Sequence, residues 1–394
     1  MYVEREIAAK FDKVRNVYPV VAIVGARQSG KTTFLKERAK GENVSYLLFD
    51  DPDVRQIFND DVKKFENQYV SGRDVSILDE VQYCEKPGQK LKYLADGGRR
   101  IWITSSSEII LGKEVLSYLV GRVSIIRLYP FSIKEFLALK GQKELTPRIL
   151  KRAVAEHIRY GGYPKAAAAE DAELKIIILR DLYETMILKD VASAFSISDI
   201  RSLENFAKYL SVNTGSMISY GSISSSLGIS FHTIKKYLGA MEKSYLIALV
   251  PPFYSNKSKE LTKQPKLYFI DTGLRNVIAN DMAGEPSGKL FENYVFSELL
   301  KMGFTPKYWR TKSKAEVDFV VENGRETIPV EAKTDASNNI GKSLHSFIES
   351  YKPKRAIVVS YEAESETKRI VAGECTVHFT DIMGMRRLLT QHAE

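Results

Sequence analysis

Cysteine is nearly absent from this sequence: Cys84 and Cys375 are the only two in 394 residues, and neither stands at metal-ligand spacing. That excludes a disulfide framework and makes a reducing cytoplasm the expected location. Long apolar runs are absent as well. The densest, Ile176 to Leu179, is far shorter than a membrane span, so no membrane partner is expected. At the start, Met1, Tyr2, Val3, Glu4, Arg5 and Glu6 place charge where the apolar core of a signal peptide would begin, and no secretory leader is expected. No block of one charge sign dominates. Lys and Arg number 58 against 49 Asp and Glu, and the resulting +9 is spread along the chain, which favours an anionic partner without singling one out. With 44% hydrophobic and 27% charged residues, the composition is that of a soluble globular protein with two or three cores.

What is present is a phosphate-binding signature. The apolar run Tyr18 to Val24 has the composition of a buried parallel strand. Behind it stands Gly25-Ala26-Arg27-Gln28-Ser29-Gly30-Lys31-Thr32, a full match to G-x-x-x-x-G-K-[ST], and then a helical stretch, Thr33 to Lys40, closed by Gly41. Strand, glycine-rich turn and helix start aim successive N–H groups and a helix dipole at one point, the geometry that cradles the phosphates of ATP. Residues Gly25, Ala26, Arg27, Gln28, Ser29, Gly30, Lys31, Thr32 and Thr33 are the expected contacts, with Lys31 on the β- and γ-phosphates and Thr32 on Mg²⁺.

Val75 to Asp79 reads as an apolar strand ending in two carboxylates. Asp79 is expected to hold Mg²⁺ through water, and Glu80 to orient or deprotonate the attacking water. A further strand, Arg100 to Thr104, empties into Ser105, Ser106 and Ser107. A hydroxyl there would sense the γ-phosphate; the pattern does not choose among the three, and Ser105 comes first. Arg122 is a candidate arginine finger that would complete a neighbour's site in a homo-oligomer, although a surface ion pair is the plainer reading of its spacing.

These residues stand among further strings: Leu48-Phe49-Asp50-Asp51-Pro52-Asp53, Gly121 to Ser132, Gly161-Gly162-Tyr163-Pro164, Leu188-Lys189-Asp190, Lys266 to Leu274, Ala315 to Phe319, and Val330-Glu331-Ala332-Lys333. Together they resemble archaeal and bacterial ATPases that join an AAA-type domain to a C-terminal domain of unknown function, DUF4143. The resemblance implies an α/β fold in three parts. A P-loop AAA-type ATPase domain with a parallel sheet would occupy residues 1–145, a helical, winged-helix domain 146–272, and a restriction-endonuclease-like domain 273–394. It raises Arg122, because a Gly-Arg stands at that point in relatives. It departs at Thr104-Ser105, where relatives carry Thr-Gly before the serine, and that bears on the sensor.

Between residues 150 and 250 the apolar spacing is helical over Arg148 to Arg159, Ala172 to Ile187 and Ile200 to Asn213. Tyr220 to Leu227, a Gly228-Ile229 turn and Ser230 to Glu242 then form a helix-turn-helix pattern. Ser230 suits an N-cap, and Ile234, Leu238 and Met241 share one face. His232, Lys235 and Lys236 are left outward, and the two lysines are candidate DNA-phosphate contacts. Tyr245 to Val250 and Lys266 to Ile270 are the candidate wing strands.

The C-terminal third reads as helix (Lys289 to Leu300), three strands (Pro306 to Arg310, Glu316 to Glu322, Thr327 to Ala332), helix (Ser343 to Ser350) and strand (Arg355 to Ser360). This αβββαβ order resembles the core of PD-(D/E)xK nucleases. Asp318 and Glu331 would end paired strands and share a Mg²⁺, and Lys333, on the same strand face as Glu331, would activate water. Glu292 resembles the extra carboxylate of junction resolvases.

ATP and Mg²⁺ are the expected cofactors and DNA the expected partner. Three readings stay open: an ATPase whose nucleotide state governs a Mg²⁺-dependent endonuclease, an ATP-driven DNA-binding switch with a non-cutting C-terminal platform, and a protein-remodelling ATPase. The four nuclease-type residues favour the first, and Glu80 favours turnover over binding alone.

Overall fold

Short runs rich in valine and isoleucine, bounded by glycine and acidic turns, form the strands of a first sheet. The computed structural model describes residues 2–107, 112–142, 144–254, 263–282, 286–324, 326–336, 339–363 and 368–391. Strands β1 (Val20–Val24), β2 (Val44–Leu48), β3 (Val75–Asp79), β4 (Ile101–Ser105) and β5 (Val123–Arg127) lie in the order β2-β3-β4-β1-β5, all parallel. β1, β3 and β4 are buried at every position, as strands covered on both faces must be. Phe11 stacks edge-on against Phe34 and Trp102 in the core on one side. Phe49, Phe58 and Phe65 belong to the larger core on the other. Because the strands run the same way, Gly25, Asp79 and Ser105–Ser107 emerge together at their carboxyl ends, where ligand sites of such sheets lie.

The middle segment is helical. Pro147–Tyr160 and Ala172–Thr185 come first, and the latter passes directly into a π-helix, Met186–Ser193. Helices Ile200–Val212, Tyr220–Leu227 and Phe231–Lys243 follow, opened by the side-chain caps Asp199, Ser219 and Ser230. Strand β6 (Ile247–Val250) pairs antiparallel with β7 (Lys266–Phe269). Leu203, Phe206, Ile234, Leu238 and Met241 share a core with Ile101 and Ile103 of the first sheet. The helices are therefore fastened to that sheet by apolar burial, worth about 1.5–3 kcal/mol per large side chain.

The last segment runs as helix Gly288–Lys301, β8 (Lys307–Arg310), β9 (Glu316–Asn323), β10 (Glu326–Lys333), helix Lys342–Tyr351 and β11 (Arg355–Ser360). Beyond these αβββαβ elements lie β12 (Lys368–Ala372), β13 (Cys375–Thr380) and helix Ile382–Thr390, giving a six-stranded sheet ordered β12-β13-β11-β10-β9-β8.

Two of the shared strings turn out to form a joint. The Asp271 carboxylate accepts hydrogen bonds from Gly162 N at 2.7 Å and Leu274 N at 2.9 Å. A Cβ on Gly273 would stand 2.1 Å from the carbonyl carbon of Tyr160, so only glycine fits. Nearby, Arg386 on the last helix bridges Glu298 at 2.7 Å and Glu6 at 2.6 Å, tying the two ends of the chain together. Both cysteines are free and buried. Among the described residues, no helix is long and apolar enough to cross a membrane.

Candidate nucleotide site and acidic cluster

The turn after β1 is shaped by close contact. A Cβ on Gly25 would sit 2.0 Å from the Leu128 carbonyl oxygen, and Gly30, at φ +98°, opens helix Lys31–Arg38 from the left-handed region. Arg5 donates to Ser29 O at 2.8 Å and fixes the loop from outside. Lys31 is buried, and its Nζ donates to the carbonyls of Gly25 and Ala26, both at 3.0 Å. Burial pulls the Lys31 ammonium below its ordinary range, against the attraction of Glu80, Asp190 and Asp79. The Ser29 hydroxyl is buried inside the same loop and has no hydrogen-bond partner among the described residues. Gln28, at φ +59°, and Thr33 face outward.

Asp79 ends β3 opposite this loop. Its carboxylate accepts from Thr32 Oγ1 at 2.8 and 3.1 Å, from Tyr46 OH at 2.5 Å, and from Thr104 Oγ1. Glu80 follows at φ 59°, ψ 50°, a conformation costly for a residue with a Cβ and frequent at functional sites. Its amide donates to Thr104 Oγ1 at 2.9 Å, and its carboxylate accepts from Gln82 Nε2. Ser105 departs from expectation: its hydroxyl donates to Ser107 O at 2.9 Å and closes its own turn. Thr104 and Ser106 are the hydroxyls turned toward the carboxylates. Ser106 accepts from Gln82 at 3.0 Å and donates to Asp190 at 3.3 Å. Hard oxygen donors at Thr32 and Asp79, with an orphaned Ser29 hydroxyl in the loop, suit a hydrated divalent cation and a phosphate chain.

Arg27 points away from the loop into a bidentate pair with Asp190, with Nε and Nη2 both at 3.0 Å. Arg122 stands before β5, at the far edge of the sheet, paired with Asp96 at 2.6 Å on the surface. On helix Phe231–Lys243, His232, Lys235 and Lys236 are exposed, and Lys236 Nζ reaches Ser196 O at 2.9 Å.

In the C-terminal segment Asp318 lies within electrostatic reach of Glu292 and Glu331, with company that the sequence did not suggest. Lys266, fully buried at the head of β7, pairs with Glu292 at 2.9 Å and Glu316 at 2.5 Å. Tyr268 OH donates to Glu292 at 2.5 Å. Asp318, on β9, accepts from Ala332 N at 2.9 Å; burial and Glu292 push its carboxyl up to about 7, with Lys266 opposing. Glu331, also raised by burial, pairs with Lys333 at 3.5 Å. Among the described residues, no three His, Cys, Asp or Glu side chains are grouped as a ready cation site. The signal for Lys266 was a lysine leading an otherwise apolar strand, and for Asp190 an acid inside the string Leu188-Lys189-Asp190.

A parallel sheet with a phosphate loop after its first strand and an acidic pair after its third defines a P-loop ATPase of the AAA type. The chain is an AAA-domain protein with a C-terminal DUF4143 domain: residues 17–137 match the AAA domain and 287–376 the domain of unknown function DUF4143. Between them, residues 151–284 match another domain of unknown function, DUF8612. An uncharacterized protein of Haemophilus influenzae is 27% identical over 343 residues, covering 81% of this chain and 84% of that protein. One from Methanocaldococcus jannaschii is 28% identical over 340 residues, covering 81% and 75%. Among solved structures, the Walker-type ATPase of Pyrococcus abyssi is similar over 70% of this chain and 96% of its own, with a TM-score of 0.47 and 14% identity.

Proposed function

We propose that ATP turnover at the P-loop governs contact with DNA made by the middle segment. The observation that carries the reading is the Thr32–Asp79–Thr104–Glu80 constellation facing a buried Lys31. Lys31 would exchange the Gly25 and Ala26 carbonyls for phosphate oxygens, Thr32 and Asp79 would hold Mg²⁺, and Glu80 would orient water and take its proton. Bound Mg²⁺ supplies neutralising charge for the β- and γ-phosphates. The exposed Lys235 and Lys236 face DNA phosphates. In an oligomer, Arg122 trades Asp96 for a neighbour's nucleotide.

The domain with Glu292, Asp318, Glu331 and Lys333 supplies either a Mg²⁺-dependent cutting centre or a non-cutting platform. Lys266 favours the platform, because its ammonium already engages Glu292 and Glu316. The test incubates wild type, Lys31→Ala and Asp318→Ala with single-stranded, duplex and branched DNA, with Mg²⁺ and with or without ATP. ATP-dependent DNA retention lost in Lys31→Ala supports the proposal. Cleavage lost in Asp318→Ala restores the nuclease reading. Phosphate release without DNA affinity moves the protein to the remodelling class.

A further inference from the structure

Asp190 belongs to the middle segment, yet its carboxylate lies against the nucleotide site. It is buried, it sits on the π-helix Met186–Ser193, and it takes both arms of Arg27 from the P-loop. Tyr83 OH adds a contact to the same guanidinium at 3.3 Å. Bidentate Arg–carboxylate pairs fix orientation as well as charge, and π-helical segments recur at functional positions. Asp190 Oδ1, which takes Arg27 Nη2, also accepts from Ser106, which accepts from Gln82, which donates to Glu80. Both edges of the nucleotide site, the loop through Arg27 and the water-orienting acid through Gln82, are thus held by one residue of another segment. The Asp190 main chain is anchored in turn: its carbonyl accepts from Ser244 Oγ at 2.7 Å, and Ser244 caps the end of the helix that carries Lys235 and Lys236.

We propose that Asp190 is a positioning residue for ATP hydrolysis, setting Arg27 and Glu80 and reporting the seating of the lysine-bearing helix to the nucleotide site. The inference rests on the ATPase reading above. Asp190 touches no reacting atom; it acts through Arg27 and through the Ser106–Gln82 relay. When DNA loads the helix, the strain passes through Ser244 to the π-helix, and hydrolysis speeds or slows with the docking of Asp190.

The experiment measures kcat and KM for ATP, and affinity for a fluorescent ADP, in full-length wild type, Lys31→Ala, Asp190→Asn and Ser106→Ala, each with and without duplex DNA. Asp190→Asn is expected to lower kcat at least about tenfold, with KM and ADP affinity within about twofold, since Lys31 and the backbone of the loop keep their own contacts. Ser106→Ala, which cuts only the relay, gives a smaller fall in kcat and the same KM. In Asp190→Asn, DNA no longer changes kcat. If Asp190→Asn fails to fold, Ser106→Ala carries the test. A kcat within about twofold of wild type in each folded variant, or a fall matched by an equal loss of ADP affinity, overturns the inference while leaving the ATPase reading intact. Hydrolysis by Lys31→Ala at the wild-type rate overturns the ATPase reading itself.

Discussion

Lys31 and Lys266 are both buried lysines facing carboxylates, and their surroundings drive them in opposite directions. Around Lys31 the direct partners are two backbone carbonyls, with the acids farther off, and burial holds the ammonium below its ordinary range. Around Lys266 burial also pulls down, but Glu292, Asp318 and Glu316 more than offset it and carry the group above that range. A lysine resting on neutral carbonyls is a charge in want of an anion. A lysine clasped by carboxylates is a closed ion pair. The first arrangement fits a site that exchanges ligands, the second one that holds two segments together.

The largest expected effects put that contrast to work. Lys31→Met lowers phosphate release by about 10²–10³-fold, the range for removing a preorganised charge from phosphoryl transfer. It leaves stability unchanged or raised, because at neutral pH the fold disfavours the ammonium it removes. Lys266→Met does the reverse. Its raised folded pKa means its contribution is fully present below 10.5 and fades only as pH climbs through the folded value. At neutral pH its loss leaves buried Glu292 with Tyr268 and the more exposed Lys289, while Glu316 keeps Arg310. The loss costs up to about 3 kcal/mol, and turnover of the folded protein holds. Guanidinium unfolding and phosphate release, run on both variants, check the pair. Should Lys266→Met unfold no earlier than wild type, the closed-pair account is wrong; recovery of its stability on adding Mg²⁺ would show the cluster to be a cation site after all.

The same contrast explains what the sequence made legible. Gly25 to Thr32 and Asp79-Glu80 are contiguous, and a local string specifies their geometry, so backbone turns placed them where expected. The αβββαβ order was also readable, because strand and helix periods are local. Partnerships across long separations were not. Arg27 meets Asp190 and Lys266 meets Glu292 only after folding, and no pattern in the chain pairs them. Which of Ser105, Ser106 and Ser107 faces the acids was not legible either; the pleat sends Thr104 and Ser106 to them and leaves Ser105 to its own turn. The strings around Gly161 and Asp271 showed kinship, and their physical role, a joint where backbones touch, needed three dimensions.

A buried base between the two regions gives the next effect. His157 lies at hydrogen-bond distance from Phe131 O and Tyr294 OH, 3.0 Å each. Burial, aided by Lys301 and Arg386 and opposed by the Phe131 carbonyl and Glu156, holds it well below 6.5. A group with a depressed folded pKa contributes stability that is complete above 6.5 and is lost as pH falls below it. The slope reaches about 1.4 kcal/mol per pH unit. Asp318, raised to about 7, acts with the opposite sign, gaining stability as pH falls from there toward 3.8. Urea midpoints from about pH 7.5 to about pH 5.5 are therefore compared between wild type and His157→Asn. The difference isolates the histidine, and parallel profiles would mean that His157 takes up its proton as readily in the fold as in the unfolded chain.

The smallest effect lies on the surface and tests whether the middle segment has a role of its own. Lys235 and Lys236 are exposed on a helix whose apolar face, Ile234, Leu238 and Met241, is fully occupied in the core. Substituting both by alanine removes no apolar packing and only the exposed hydrogen bond from Lys236 to Ser196 O, so unfolding midpoints stay close to the wild-type value. A lysine that faces a DNA phosphate releases a counterion when it binds, and its loss reduces the slope of log affinity against log salt by about one. Lys235→Ala and Lys236→Ala together are expected to flatten that slope by about two and to weaken binding alike for every duplex sequence. Lys266→Met, if folded, leaves the slope unchanged, since its ammonium is buried between Glu292 and Glu316. An unaltered slope in the double alanine variant would remove DNA from this helix and leave its lysines as a solvated face.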